Sequence, residues 1–290
     1  MKTLGFIGMG NMAGAIAAGI LQKGLMKKEE VFAYAPHYEK LEANAEKIGF
    51  VPCKDLKGLT AKADTLVMAC KPYQIEGVLS EIKEELKGKA LISIAAGWNY
   101  DKYEKYLDKS TRLQFIMPNT PAMVGEGVLL FEEKNSKMND LKYIQPNHYN
   151  MQTTMSGKIV GMKIVGCNLI PQYNIKKLFE ALGIVIELPV HLMGIGGALT
   201  GCGPAFVDLI IEALGDAGVK YGVPRKQAYE MVSQMILGSA KLQLETGEHP
   251  GVLKDNVCSP AGTTICGVDA LEHAGIRAGF IDAIDAIMNK

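Results

Sequence analysis

Gly5-Phe6-Ile7-Gly8-Met9-Gly10-Asn11-Met12-Ala13-Gly14-Ala15-Ile16-Ala17-Ala18 decides the fold of this chain. An apolar run from Thr3 ends at Gly8, and the small residues Gly14, Ala15, Ala17 and Ala18 carry a helical pattern onward. A glycine turn between strand and helix is the context of a dinucleotide-binding turn, with Ala13 at its third small position. There Gly8 permits the tight bend and Gly10 lets the backbone approach a pyrophosphate. Helix amides near Asn11 and Met12 face the phosphates, with the positive end of the helix dipole behind them. The plain alternative is a glycine turn in an ordinary βα unit.

Outward from this turn, Val31 to Ala35, Thr65 to Cys70, Ala90 to Ala95 and Arg112 to Met117 read as further strands. They are continuous apolar runs separated by helical patterns, which implies βαβ crossovers and a parallel sheet covered on both faces. After Leu188 the pattern changes to helices over Gly203 to Tyr221, Arg225 to Glu245, Thr263 to His273 and Ile276 to Met288. Pro224, Gly222, Gly247 and Gly275 stand where such helices start and stop. Small residues such as Gly215, Gly218, Ala213 and Ala217 favour close helix packing between subunits. The expected class is therefore α/β, an N-terminal Rossmann-type parallel sheet domain followed by an all-α dimerisation domain.

Residues 134–176 fit neither half. They hold six Lys against one Asp, with four Met and six Asn, and sustain no period of 2 or 3.6. The expected division is 1–132 for the NAD(P)-binding domain and 133–176 for an atypical insert, a poorly ordered segment or a surface loop. Residues 177–290 then hold the remaining linker strand and helix and the all-α dimerisation and substrate domain.

Composition narrows the function classes. Thirty-one basic and 31 acidic side chains leave a formal charge of +0, so no global field draws the chain to nucleic acid or to an anionic membrane. The N-terminal run is punctuated by glycines and reads as mature, cytoplasmic protein rather than a signal peptide or span. Six cysteines, Cys53, Cys70, Cys167, Cys202, Cys258 and Cys266, show no ligand or CxxC spacing and are expected as reduced, mostly buried thiols. The His residues, including His148, are scattered without ligand spacing, so no metal site is expected. His249 and His273 read as solvated or cap-associated.

Several strand ends carry candidate site residues. At the second strand, where a NAD site normally holds a carboxylate for the ribose, stand Ala35, Pro36 and His37. Without that carboxylate a 2′-phosphate is tolerated, and His37 or Lys40 can pair with it, which favours NADP; capping of the next helix is the other role open to His37. Ala69-Cys70-Lys71-Pro72 and Ser93-Ile94-Ala95-Ala96-Gly97 close later strands, where ligands of open α/β sheets bind. Met117-Pro118-Asn119-Thr120-Pro121 stiffens the end of another. Asp255-Asn256-Val257-Cys258-Ser259-Pro260-Ala261-Gly262-Thr263-Thr264 reads as a polar turn feeding a helix. The amides of Gly262, Thr263 and Thr264 lie at the helix start, where N-capping and binding of an anion such as a carboxylate both remain open.

Taken together, these blocks resemble the pyrroline-5-carboxylate reductases. The resemblance rests on Gly5 to Met12, Cys70 to Pro72, Ser93 to Gly97, Met117 to Pro121 and above all Cys258 to Thr264, with support from Gly201 to Phe206 and Asp216 to Arg225. It implies a homodimer, further assembled as an oligomer of dimers, with the active site between domains at the dimer interface. It also implies hydride transfer from NADPH, or from NADH, to the C=N carbon of 1-pyrroline-5-carboxylate, giving L-proline. Ser259, Gly262, Thr263 and Thr264 would hold the substrate, with Thr264 facing the ring nitrogen as the catalytic residue. The cofactor would be held by Gly8, Gly10, Asn11, Met12, Ala35, His37, Ala69, Cys70, Lys71, Pro72, Ala95, Ala96, Gly97, Asn119 and Asn256.

Three departures accompany the resemblance. Ala35 stands where many relatives carry a hydroxyl, Thr200 and Cys202 replace usual serines, and the middle segment is longer than the family connection. Two other readings fit parts of the chain. One is a β-hydroxyacid dehydrogenase, for which Lys220 and Lys241 lack the glycine context of the catalytic lysine. The other is a non-catalytic cofactor-binding protein disabled by the insert.

Overall fold

The computed structural model describes residues 2–133, 149–153, 159–164 and 172–290, and of residues 149–174 the backbone alone. His148, Cys167 and much of the segment expected as an insert lie outside the described residues. The chain divides into two units, Met1–Met193 and Gly194–Lys290.

The first unit runs β1 (Leu4–Ile7), α1 (Asn11–Gln22), β2 (Val31–Tyr34), α2 (Tyr38–Ile48), β3 (Val51–Pro52), α3 (Leu56–Lys62), β4 (Thr65–Met68) and α4 (Ile75–Ile82). It continues with β5 (Ala90–Ser93), α5 (Tyr100–Glu104), β6 (Arg112–Met117), β7 (Gly127–Glu132), β8 (Tyr149–Thr153), β9 (Ile159–Ile164), α6 (Gln172–Glu180) and β10 (Gly183–Leu188). Eight strands form one sheet in the order β10-β7-β6-β5-β4-β1-β2-β3. β1 pairs in parallel with β2 on one side and β4 on the other. The chain thus winds outward from β1 to β3 and then crosses to β4, so the strand order reverses between β1 and β4. Ligands of open α/β sheets bind at such a switch point, beyond the carboxyl ends of the strands.

Alternation along each strand sends side chains to both faces. Leu4 and Phe6 pack with Ala13, Ile16 and Ile20 of α1, Leu41 of α2 and Phe179 of α6. Ile7, Leu66 and Met68 pack on the opposite face with Leu59 of α3, Leu79 and Ile82 of α4, and Tyr103 of α5. Burial on two faces is why these strands are apolar throughout, and each buried Leu or Phe contributes about 1.5–3 kcal/mol.

The sheet is parallel as expected except where β6 meets β7. Ile116 pairs with Phe131 and Met117 with Leu130, antiparallel. The connection is a 3-10 turn over Thr120–Val124, too short for a crossover helix, and a short connection joins only antiparallel neighbours. β10 then pairs in parallel with β7 from Gly183↔Gly127 to Leu188↔Glu132. β8 and β9 form a separate antiparallel pair.

The second unit is helical: α7 (Met193–Gly197), α8 (Gly203–Lys220), α9 (Arg225–Thr246), α10 (Pro250–Val257), α11 (Thr263–His273) and α12 (Ile276–Met288). A π-helical stretch, Ala198–Cys202, joins α7 to α8, and Thr200 Oγ1 donates to the Gly196 carbonyl at 2.9 Å inside it. α8 and α9 pack closely because Gly215 leaves room for Tyr229. Arg225 Nη1 donates to Tyr229 Oη at 3.0 Å and also to Asp216, fixing the start of α9.

Helix α10 corrects the sequence reading. Its eight residues are too few to show a helical period, yet Pro250 sits in its first turn and His249 Nδ1 accepts from the Gly251 amide at 3.1 Å. Asp255, Asn256 and Val257 are consequently helical, and the polar turn shrinks to Cys258–Gly262. The cysteine expectation also needs correction. All five described cysteines are free, but only Cys53 is buried: Cys70 lies at a strand end, Cys258 in the turn after α10, and Cys202 and Cys266 on helical surfaces that this chain alone leaves partly uncovered.

Candidate functional site

Gly8 closes β1 with φ +95° and its amide donates to the Tyr34 carbonyl at 2.8 Å. A Cβ there would stand 2.7 Å from the Cys70 nitrogen, so a side chain is excluded both by backbone conformation and by the close approach of β1 and β4. Gly10 differs. It takes the N-cap position of α1 at φ −83°, and a Cβ on it would meet nothing within 4 Å. Among the described residues no side chain caps α1, and no acidic residue lies in its first turn. The amides of exposed Asn11 and half-buried Met12 therefore head a twelve-residue helix beside open backbone, a cradle that fits a pyrophosphate.

At the end of β2, Ala35 is half-buried and His37 exposed. His37 holds the N-cap position of α2, but its ring makes no capping hydrogen bond. Lys40 is exposed on the same helix. Sequence reasoning missed Lys54, which follows β3 and lies with its ammonium 5.9 Å from the centre of the Tyr38 ring. A lysine behind a two-residue strand carries no motif, and only the fold brings it to this end of the sheet.

The loops after β4 and β5 lie at the same carboxyl edge. Burial pushes the Cys70 thiol up to about 11, and its Sγ donates to Met68 Sδ at 3.6 Å. At physiological pH it is a neutral wall rather than a nucleophile. Ala69 is half-buried, Lys71 and Pro72 are exposed, and the Lys71 amide donates to Gln74 Oε1 at 3.1 Å. Ala95 is half-buried, while Ala96 and Gly97 are exposed. Lys102 Nζ donates to the Gly97 carbonyl, and Trp98 Nε1 donates to the Pro72 carbonyl at 3.1 Å. Asn119 is buried, and its Oδ1 accepts from the Val128 amide at 2.8 Å, so that oxygen joins β6 to β7.

In the helical unit, Asn256 is exposed in the last turn of α10. The following turn closes with the Gly262 amide donating to the Ser259 carbonyl at 2.9 Å. Ala261 has φ +58°, alone among the described non-glycine residues in the left-handed region, and strain of this kind gathers at functional sites. Gly262 is the N-cap of α11. A Cβ on it would lie 2.3 Å from Ser259 Oγ, so its lack of a side chain lets the serine hydroxyl lie against the helix start. Among the described residues no side chain caps α11, and its first turn has no acidic residue. The capping role left open by the sequence is thus not taken, while Ser259, Thr263 and Thr264 remain exposed with their hydroxyls. This end presents donors and no fixed charge, which suits a carboxylate.

Among curated proteins, the chain is 37% identical over 288 residues to the pyrroline-5-carboxylate reductase of Methanosarcina acetivorans, covering 98% of this chain and 94% of that one. The chain belongs to the pyrroline-5-carboxylate reductase family. The Escherichia coli pyrroline-5-carboxylate reductase is 35% identical over 100% of this chain and 97% of its own. The family model for pyrroline-5-carboxylate reductase dimerisation matches residues 191–290, and a model described as coenzyme F420-dependent NADP oxidoreductase matches residues 3–97. Among solved structures, a Plasmodium falciparum pyrroline carboxylate reductase with NADP bound superposes with a TM-score of 0.77 at 31% identity, covering 99% of this chain and 95% of that one.

The dimerisation match gives meaning to the surface of the helical unit. The run Val190–Lys220 is long and apolar enough to cross a membrane by length and composition alone. Leu209, Met231 and Leu244 of the same unit are exposed. A subunit interface accounts for apolar surface of this extent.

Proposed function

We propose that this chain reduces the C=N bond of 1-pyrroline-5-carboxylate to give L-proline, with NADPH favoured over NADH. The observation that carries the substrate is the start of α11, where Ser259 lies against an uncapped helix end that offers amides and hydroxyls without charge. Ser259, Gly262 and Thr263 bind the substrate carboxylate there. The Thr264 hydroxyl lies one residue further into the helix and hydrogen-bonds the ring nitrogen, holding it as it gains a proton.

On the sheet unit, Gly8, Gly10, Asn11 and Met12 hold the cofactor pyrophosphate. When bound, the reduced nicotinamide supplies the hydride for the C=N carbon. Lys54 offers positive charge for a 2′-phosphate and His37 a ring nitrogen to pair with it, and Ala35 leaves room where a carboxylate would repel it. Ala69 to Pro72 and Ala95 to Gly97 form the loops on the nicotinamide side and Asn119 completes the contacts of this unit, while Asn256 of the helical unit is a further cofactor residue by the family resemblance. The chemistry needs no side-chain nucleophile, in keeping with the neutral Cys70 thiol. A homodimer, gathered into a larger oligomer and working in the cytoplasm, belongs to the same reading.

The test is to mix the purified protein with pyrroline-5-carboxylate and follow consumption of NADPH and NADH. Oxidation of neither cofactor would refute the proposal. Thr264→Ala is expected to lower turnover about 10-fold or more while cofactor affinity stays nearly unchanged, as loss of a positioned hydrogen bond predicts.

A further inference from the structure

Trp98 is the single tryptophan of the chain. It stands directly after Gly97, in the loop that leaves β5, and its Nε1 donates to the Pro72 carbonyl at 3.1 Å, across to the loop that leaves β4. Its ring is held from behind by two tyrosines. The Tyr103 ring centre is 4.9 Å away at an interplanar angle of 58°, and that of Tyr106 is 6.2 Å away at 46°. Tyr103 is fully buried and shares a hydrogen bond of 2.9 Å with Ser93 Oγ at the end of β5. Tyr106 donates to Glu76 in the first turn of α4, joining the stretch that follows α5 to that helix.

We propose that Trp98 is a positioning residue that ties the two nicotinamide-side loops together and so sets the affinity for the reduced cofactor. The inference rests on the assignment of those loops to the cofactor. The loop after β5 carries Ala96 and Gly97 exposed, with Gly97 at φ +77°, so its backbone is free to adopt many conformations unless something restrains it. Three restraints act on it: the Lys102 ammonium on the Gly97 carbonyl, the Asn99 side chain accepting from the Lys102 amide at 3.1 Å, and the Trp98 indole. Of these only the indole reaches the neighbouring loop. It engages the carbonyl of Pro72, a residue whose own ring already fixes its backbone φ, so a rigid anchor meets a rigid ring. Loops ordered before binding lose less entropy when the ligand arrives, and the gain appears in the cofactor constant rather than in the chemical step.

Trp98→Phe keeps an aromatic ring on Tyr103 and removes the N–H donor. Measured with pyrroline-5-carboxylate in excess, this variant is expected to raise the cofactor KM about 3- to 10-fold, the worth of one hydrogen bond, with kcat and imine KM within about 2-fold. A cofactor KM equal to that of the parent, in a variant that melts at the parent temperature, overturns the proposal. Should the variant melt early, the unmodified protein decides the matter through its lone indole. NADPH should quench Trp98 emission saturably by energy transfer to the reduced nicotinamide, and an emission that does not respond to saturating NADPH overturns the proposal. A protein in which NADPH quenches Trp98 but is not oxidised by the imine would sink the reductase reading alone and leave the tether standing.

Discussion

A Cβ placed on Gly8 would lie 2.7 Å from the backbone nitrogen of Cys70, so the first strand and the strand across the switch point meet with no room for a side chain. Gly10, two residues on, faces open space. The two glycines of one turn therefore serve different ends, and substitution separates them. Gly8→Ala places a side chain at φ +95° against backbone atoms that cannot swing away, and should cost about 2–3 kcal/mol of stability along with cofactor binding. Gly10→Ala meets no neighbour and has an ordinary φ, so its denaturation midpoint should stay near that of the parent while NADPH affinity falls about 10-fold or more. Urea unfolding paired with NADPH titration of both variants checks the split, and equal loss of stability in the two would contradict it.

Gly262 is constrained first by a side chain, with the Ser259 carbonyl oxygen next at 3.0 Å from an added Cβ. Its φ of −76° suits alanine, but the added Cβ would lie 2.3 Å from Ser259 Oγ. The serine can rotate, so Gly262→Ala should cost under about 1 kcal/mol in stability yet raise the imine KM about 10-fold, with the cofactor KM unchanged. Ser259→Ala removes the nearest clashing atom, Oγ, and leaves the carbonyl oxygen at 3.0 Å. The double variant should then be no worse than Ser259→Ala alone, and a fully additive loss in the cycle would show that the two residues act separately.

The Cys70 thiol gives a pH dependence whose sign follows from linkage. Burial raises its pKa from an ordinary 9.0 to about 11, so the folded state holds this proton more tightly than the unfolded chain. The contribution to stability is complete below the ordinary value and is lost as pH climbs from 9.0 towards about 11. Tyr103, pushed up chiefly by burial against an opposing hydrogen bond from Ser93, acts in the same direction. Denaturant midpoints taken at about pH 8 and about pH 10.5 should fall for the parent and fall less for Cys70→Ala. A variant that loses as much as the parent would assign the alkaline loss elsewhere.

Much of this fold was legible in its sequence because its strand ends are sharply marked. Gly8, Cys70 and Gly97 are marked by the abrupt passage from an apolar run to glycine, lysine or proline, and the same passage bounds the loops at the carboxyl edge of the sheet. The direction of β7 was not legible, since antiparallel pairing depends on the length of the Thr120–Val124 turn and not on any residue within the strand. Helix α10 is shorter than the window in which a period can be recognised. Trp98 and Lys54 escaped notice for a third reason. Each meets a partner distant in sequence, Pro72 in one case and Tyr38 in the other, and no local pattern announces such a pair.

The helical unit yields the last prediction. Leu209 of α8 is 65% exposed, Met231 of α9 64% and Leu244 of α9 72%, a cost that a single chain would carry at about 25 cal/mol for each Å² of apolar surface left in water. Covered by a second copy, these side chains become the interior of an interface, where an unpaired carboxylate is expensive to bury. Leu209→Asp should therefore shift the mass measured by light scattering towards the monomer at low protein concentration. Leu25→Asp, which alters an exposed leucine of the sheet unit, should leave the mass unchanged. Activity should fall with the mass in the first variant and recover as its concentration is raised, because association is a mass-action equilibrium. A Leu209→Asp protein that keeps the parent mass at every concentration would show that this face of α8 lies outside the subunit contact.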